Sequence, residues 1–162
     1  MTGKFDMHLA LYMPDIPQNT GTIMRMAACM DLTVHIIEPT GFRMDAKGLK
    51  RAGMDYLAKT VMQRHADWQQ FNQWRQDQGK RLILLTTKAS RPYCDVKFDS
   101  NDIFLFGRES VGVPQEVHDM ADERIIIPMK KDTRSLNLAM TTAFIMGEYL
   151  RQMDAFPNME LS

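Results

Sequence analysis

The sequence predicts one α/β domain built on a mostly parallel sheet with helices on both faces. Three observations carry that expectation. Short apolar runs recur along the chain, helix-length segments with capping residues separate them, and the whole is 162 residues long, the size of one domain. No internal repeat, low-complexity stretch or linker divides it. The domain is expected to span residues 1–154, with a short C-terminal tail at 155–162.

Each element has a local reason. Residues 9–13, LALYM, read as a first buried strand, and Pro14 and Pro17 open the loop after it. Asn19 or Thr20 can cap a helix over 21–30. Residues 33–37, TVHII, form a second strand, stopped by Pro39 and Gly41. Asp45 can cap a short helix through Leu49 to Ala52, with Gly53 as its stop. Residues 59–63 are a weak third strand. Asp67 can cap a helix over 68–78, which Gly79 ends. Residues 81–85, 102–106 and 124–127 supply three further strands. Pro114 suits the first turn of a helix reaching Met120. Residues 137–153 form the last helix.

That last helix carries two apolar stripes. One is Leu138, Thr142, Ile145, Tyr149 and Met153; the other is Ala139, Ala143, Met146 and Leu150. Together they cover more of the circumference than one sheet face requires. Either the helix is deeply buried in its own domain or one stripe packs on a partner subunit. The second is favoured, as a homodimer, since closed two-fold dimers are the commonest oligomers.

Composition excludes several functions. The chain has 20 basic and 20 acidic residues, so a purely charge-driven nucleic-acid coat is excluded while a local basic patch is not. Cys29 and Cys94 lack metal-ligand spacing and read as reduced core or boundary thiols. His8, His35, His65 and His118 are scattered, and no metal site is expected. Neither a signal peptide nor a segment of membrane-spanning length is visible, so a cytoplasmic location is expected.

Three segments follow strands and open onto helices, where α/β proteins place ligands. The first, PQNTGTIMR at 17–25, contains Asn19 and Arg25. Arg25 could project from the same end of the sheet as Asn19, but taken alone the segment is better explained by capping through Asn19 or Thr20 and a solvated Arg25. The second, LFGRESVGVP at 105–114, has P-loop glycine spacing at Gly107 and Gly112. Val113 and Pro114 follow in place of Lys and Ser/Thr, which rules out a triphosphatase. Gly107 would let a ligand approach the backbone, and Glu109 can bind ligand or fix the loop. The third, IPMKKDTRSLNL at 127–138, offers Ser135 and Asn137 as caps and exposed backbone for a ligand. Lys130, Lys131 and Arg134 project from the same loop. A Gly-x-Gly-x-x-Gly dinucleotide turn and a Gly-x-Ser-x-Gly elbow are both missing, and Cys94 has no partner pattern for nucleophilic catalysis.

Taken together these segments resemble the SPOUT superfamily of methyltransferases, and most nearly the small RNA ribose 2′-O-methyltransferases that act on the tRNA wobble nucleotide. Further matching residues are HIIEP at 35–39, Gly41-Phe42, RAGMDY at 51–56 and LTTK at 85–88. The resemblance implies a deep C-terminal trefoil knot and a homodimer. It implies S-adenosylmethionine held by Leu85, Gly107, Ile127, Met129, Ser135, Leu136 and Asn137. Arg25 matches the catalytic arginine, with Asn19 and Glu109 beside it. Arg51, Lys88, Arg91 and Arg134 are the candidates for RNA contacts, with tRNA as partner. Two departures stand out: Ala139-Met140 where many such enzymes carry Ser-Asn, and Gly147 where a Tyr often precedes the Glu of the last helix. Methylation of another tRNA or rRNA ribose, or non-catalytic RNA binding on the same fold, are the alternatives.

Overall fold

A computed structural model describes residues 6–51 and 61–159. The elements are β1 (His8–Tyr12), α1 (Pro17–Met30), β2 (Thr33–Ile37), α2 (Ala46–Arg51), β3 (Val61–His65), α3 (Trp68–Asp77), β4 (Arg81–Leu85), β5 (Asp102–Phe106), α4 (Gln115–Met120), β6 (Glu123–Ile125) and α5 (Leu138–Gln152). The six strands pair only in parallel, in the order β3-β2-β1-β5-β4-β6.

Alternation along β1 shows how both faces are covered. Leu9 and Leu11 join Ile23, Met24 and Ala27 of α1 and Ile145, Met146, Tyr149 and Leu150 of α5 in one core. Ala10 and Tyr12 join Trp68 and Phe71 of α3 and Val117 of α4 in the other. The expected parallel sheet with helices on both faces is therefore observed.

The termini of several elements have identifiable causes. Asp67 accepts a hydrogen bond from the Gln70 amide at 2.9 Å and caps α3. Asn137 accepts from Ala139 N at 2.8 Å and caps α5. Asp45 accepts from Gly48 N at 2.8 Å in the first turn of α2. α1 departs from expectation. It begins at Pro17, with Ile16 as an N-cap that makes no side-chain bond, so neither Asn19 nor Thr20 caps it. Proline in the first turn costs no hydrogen bond, which lets the helix start four residues earlier than 21. β6 ends at Ile125; Ile126 instead bridges Pro92, and its carbonyl accepts from Tyr93 N at 2.9 Å. The third strand runs two residues later than expected, and Lys59, Thr60, Ala52 and Gly53 lie outside the described residues.

Two readings of side chains are corrected. Cys29 and Cys94 are both exposed and are not core thiols. Three of the four histidines are not scattered. His8 Nδ1 lies 2.8 Å from His35 Nε2, and His35 Nδ1 lies 2.9 Å from His65 Nε2, a buried chain crossing β1, β2 and β3. Among the described residues no cluster has metal-holding geometry, and no helix is long and apolar enough to cross a membrane.

Candidate functional site

The chain leaves β1 toward β2 on one side, while β5 lies on the other. The chain leaves these two neighbouring strands in opposite directions along the sheet, and such switch points form crevices in open parallel sheets. Here the crevice is a cleft of about 530 Å³ at the carboxyl ends of β4, β5 and β6, within the size range of small-molecule sites. Leu85, Phe106, Ile127, Met129, Leu136 and Leu138 give it an apolar wall.

A chain of polar side chains crosses its rim. Asn19, buried in the first turn of α1, donates from Nδ2 to Glu109 Oε1 at 3.5 Å. Its Oδ1 accepts from Asn137 Nδ2 at 2.9 Å. Glu109 Oε2 accepts from the Asp15 amide at 3.0 Å. The first turn of α1, the loop after β5 and the cap of α5 are thus linked side chain to side chain, and the Asp15 backbone ties in the loop after β1. Asn137 serves twice, since its Oδ1 holds the α5 amide while its Nδ2 holds Asn19.

Burial pushes the Glu109 carboxyl above its ordinary range, and the facing Asp15 pushes it further. Asp15 moves the other way, chiefly through its hydrogen bond with Glu109, helped by Ser110 and Arg108. Two carboxyl groups with opposed shifts mark a pair that ionises stepwise.

Gly107 sits where the backbone of its own loop comes closest. A Cβ there would lie 2.8 Å from the Gly112 Cα and carbonyl carbon. Arg108 and Gly112 exchange two backbone hydrogen bonds, at 3.1 and 2.9 Å, and Gly112 takes a positive φ of 70° to close the turn.

The expected site residues fall into two groups. Asn19, Leu85, Lys88, Gly107, Glu109, Ile127, Met129, Ser135, Leu136 and Asn137 all line the cleft. Arg25 does not. It is exposed on α1, the ninth residue of the helix and so deeper along it than a start at Gly21 implied. Arg134 is exposed on the loop before α5, outside the lining. Arg91 is engaged by Glu123, with Nη1 2.8 Å from Oε2. The Arg51 side chain lies outside the described residues. Sequence reasoning missed Asp15, Arg108 and His118. Asp15 carries no local signal, and only its pairing with Glu109, 94 positions away, gives it a role.

Comparison with known proteins gives a consistent result. Residues 6–147 match the SpoU rRNA Methylase family. A tRNA (cytidine(34)-2′-O)-methyltransferase of Ancylobacter novellus is 50% identical over 148 residues, covering 91% of this chain and 94% of the relative. A solved structure concerned with the 2-OH methylation of C/U34 on tRNA superposes with a TM-score of 0.86. It is 35% identical, covering 94% of this chain and 99% of the other. An AdoMet-bound rRNA methyltransferase from Sinorhizobium meliloti shares the fold, with a TM-score of 0.81 at 24% identity over 92% of this chain and 57% of its own.

Proposed function

The chain belongs to the SpoU rRNA methylase family, and from that premise we propose that it is an S-adenosylmethionine-dependent tRNA 2′-O-methyltransferase acting on the wobble pyrimidine. The observation that carries the proposal is the Glu109–Asn19–Asn137 chain, which places polar groups from the loop after β5, the first turn of α1 and the cap of α5 on the rim of an apolar cleft. A ribose presented at that rim would meet fixed donors and acceptors, with a cofactor behind it.

The cleft suits S-adenosylmethionine. Leu85, Ile127, Met129 and Leu136 offer apolar contact for a purine, and Gly107, Ser135 and Asn137 offer backbone and side-chain polar groups. When bound, the cofactor supplies a methyl group on a sulfonium, whose C–S bond breaks as the C–O bond to the ribose forms. Because its leaving group is a neutral thioether, the chain's own residues have to manage only the ribose hydroxyl. Arg25 stands outside the cleft lining, and the resemblance that assigns it a catalytic part supports placing it on the RNA side of the reaction. A guanidinium holds its proton at any working pH, which suits binding the adjacent phosphate and stabilising the developing alkoxide, while phosphate or water accepts the proton. Lys88, at the cleft, and Arg134, on the loop before α5, suit RNA backbone contacts, and Arg51 and Arg91 complete the proposed set.

The same reading includes a knotted C-terminal segment, a single domain over residues 1–154 with a tail at 155–162, a cytoplasmic location and a homodimer. Most of the two predicted α5 stripes turns inward, with Thr142, Ile145, Met146, Tyr149 and Leu150 buried in the chain's own domain. The dimer is supported instead by the outward face of α5, where Met140 is 53% and Phe144 46% exposed beside an exposed Ala143. A substitution of Phe144 to Asp should then yield monomers in analytical ultracentrifugation.

The primary test is transfer from labelled S-adenosylmethionine to total tRNA, with nuclease mapping of the product. A 2′-O-methylated wobble pyrimidine is expected. No incorporation would overturn the proposal, and undiminished transfer by Arg25→Ala would remove Arg25 from it.

A further inference from the structure

The part that the Asp15 side chain plays in the proposed reaction is still open, and the residue is held from four directions. Its amide donates to Glu109 Oε2 at 3.0 Å. Its Oδ2 accepts from Ser110 Oγ at 2.5 Å and lies 3.6 Å from Arg108 Nη2. Behind it, Gly41 packs so closely that a Cβ at 41 would lie 2.7 Å from the Asp15 Cβ, and Gly41 N donates to Pro14 O at 2.9 Å. The remaining oxygen, Oδ1, is buried and has no donor among the described residues. An oxygen so placed is costly unless a proton reaches it.

Glu109 is the group that can bring one. The Asp15 amide holds Glu109 Oε2 at 3.0 Å, which brings the Glu109 carboxyl to the residue that carries the buried, donorless Oδ1, and the acidity of each carboxyl responds to the other. We propose that Asp15 is a positioning residue for methyl transfer: it shares one proton with Glu109 and so holds the Glu109–Asn19–Asn137 chain in place at the cleft rim. This rests on the methyltransferase reading above and adds to it the residue that fixes Glu109.

The geometry explains why one proton matters. With it present, Glu109 donates to Asp15, and Glu109 Oε1 accepts from Asn19. With it absent, two carboxylates meet across a part-buried gap and repel, and the loops that carry them separate. The other groups facing the pair are Arg108 and Ser110 from the loop after β5, with the Tyr12 phenol beyond Arg108, and the Asn19 amide from α1. Gly41 brings no charge. Arg108 and Ser110 both engage Asp15, so they keep Asp15 ionised and leave the proton on Glu109. The elevated Glu109 carboxyl is in accord with that assignment.

Asn at position 15 separates positioning from mere packing. Its amide can donate permanently to Glu109, and its oxygen can still accept from Ser110, so the shared proton is no longer needed. Single-turnover transfer from labelled S-adenosylmethionine to total tRNA would be measured between pH 6 and 9 for wild type, Asp15→Ala and Asp15→Asn, with cofactor affinity by calorimetry. Asp15→Ala should lower the transfer rate by ~10–100-fold, as small misplacements near a reacting group do, with cofactor affinity within about threefold. Asp15→Asn should recover most of the rate, and the ratio of wild-type to Asp15→Asn rate should fall as pH rises and the shared proton is lost. A wild-type rate in Asp15→Ala would overturn the proposal. So would a ratio of wild-type to Asp15→Asn that is flat with pH; this reading stands even if the alanine variant fails to fold. Wild-type protein that transfers no methyl at all would instead defeat the methyltransferase reading, and the positioning role with it.

Discussion

Asn137 Nδ2 donates to Asn19 Oδ1 at 2.9 Å, across 118 positions of sequence. One side chain sits in the first turn of α1 and the other caps α5, so the contact ties the beginning of the chain to its end at the cleft. Substitutions at Asn137 separate its two duties. Asn137→Ser keeps an oxygen for the Ala139 amide and loses the donor to Asn19. Asn137→Ala loses both. Urea unfolding should show Asn137→Ala less stable than Asn137→Ser by about 1 kcal/mol, the usual worth of a helix cap. Both variants should lose methyl transfer to a similar degree. Equal stability of the two would show that the cap contributes nothing.

Gly107→Ala tests the turn at the centre of the cleft. The new methyl group would meet the Gly112 backbone at 2.8 Å, and no rotamer change can relieve a clash with main chain. The loop would have to shift, carrying Glu109 and Ser110 with it. A loss of about 1–3 kcal/mol in urea unfolding is expected from such overpacking. Calorimetric titration with S-adenosylmethionine should show a weakened dissociation constant. Unchanged affinity would place the cofactor away from this loop.

Much of this was legible in the sequence because caps and breakers act locally. Asp67 and Asn137 cap the helices their positions suggest, and β2, β4 and β5 match their apolar runs residue for residue. Misreadings occurred where a side chain works at long range. Asn19 looks like a cap, but its amide is committed to Glu109 and Asn137, and Pro17 starts the helix instead. Asp15 went unnoticed because its partners lie 94 and 95 positions away. The three histidines sit on separate strands, and only the parallel register that pairs Ala10 with His35 and Ile37 with His65 brings them into line.

The RNA contacts make a quantitative prediction. Lys88 and Arg134 are both exposed, whereas Arg91 is paired with Glu123. Each single-strand phosphate contact contributes roughly 0.7 to the slope of log affinity against log salt. Lys88→Ala with Arg134→Ala should therefore lower the slope of tRNA binding by about 1.4, measured by filter binding across a salt series. An unaltered slope would remove both residues from the interface.

The histidine chain predicts how stability depends on pH. Burial lowers the basicity of His35 to about 2, with His8, His65 and Lys80 adding to the effect. His8 and His65 are also lowered, both chiefly by burial, with the Asp6 hydrogen bond opposing the shift at His8. Trp74, with its ring 4.4 Å from His35, closes the site on the α3 side. His35 is therefore neutral in the folded protein over this range and titrates near its ordinary value of 6.5 once unfolded, and the lowered His8 and His65 act in the same direction. The unfolded chain then binds more protons than the folded one below that value, so stability falls with falling pH. It is fully present above about pH 7 and declines as pH drops through 6 and 5. His35 alone contributes a slope of about 1.4 kcal/mol per pH unit in that window. His35→Gln keeps one donor and one acceptor for its neighbours but cannot take up a proton. Urea unfolding between pH 5 and 8 should show the acid slope of this variant reduced by about one proton. An undiminished slope would mean that His35 is already protonated in the folded chain, and that the hydrogen-bonded chain carries charge through the sheet.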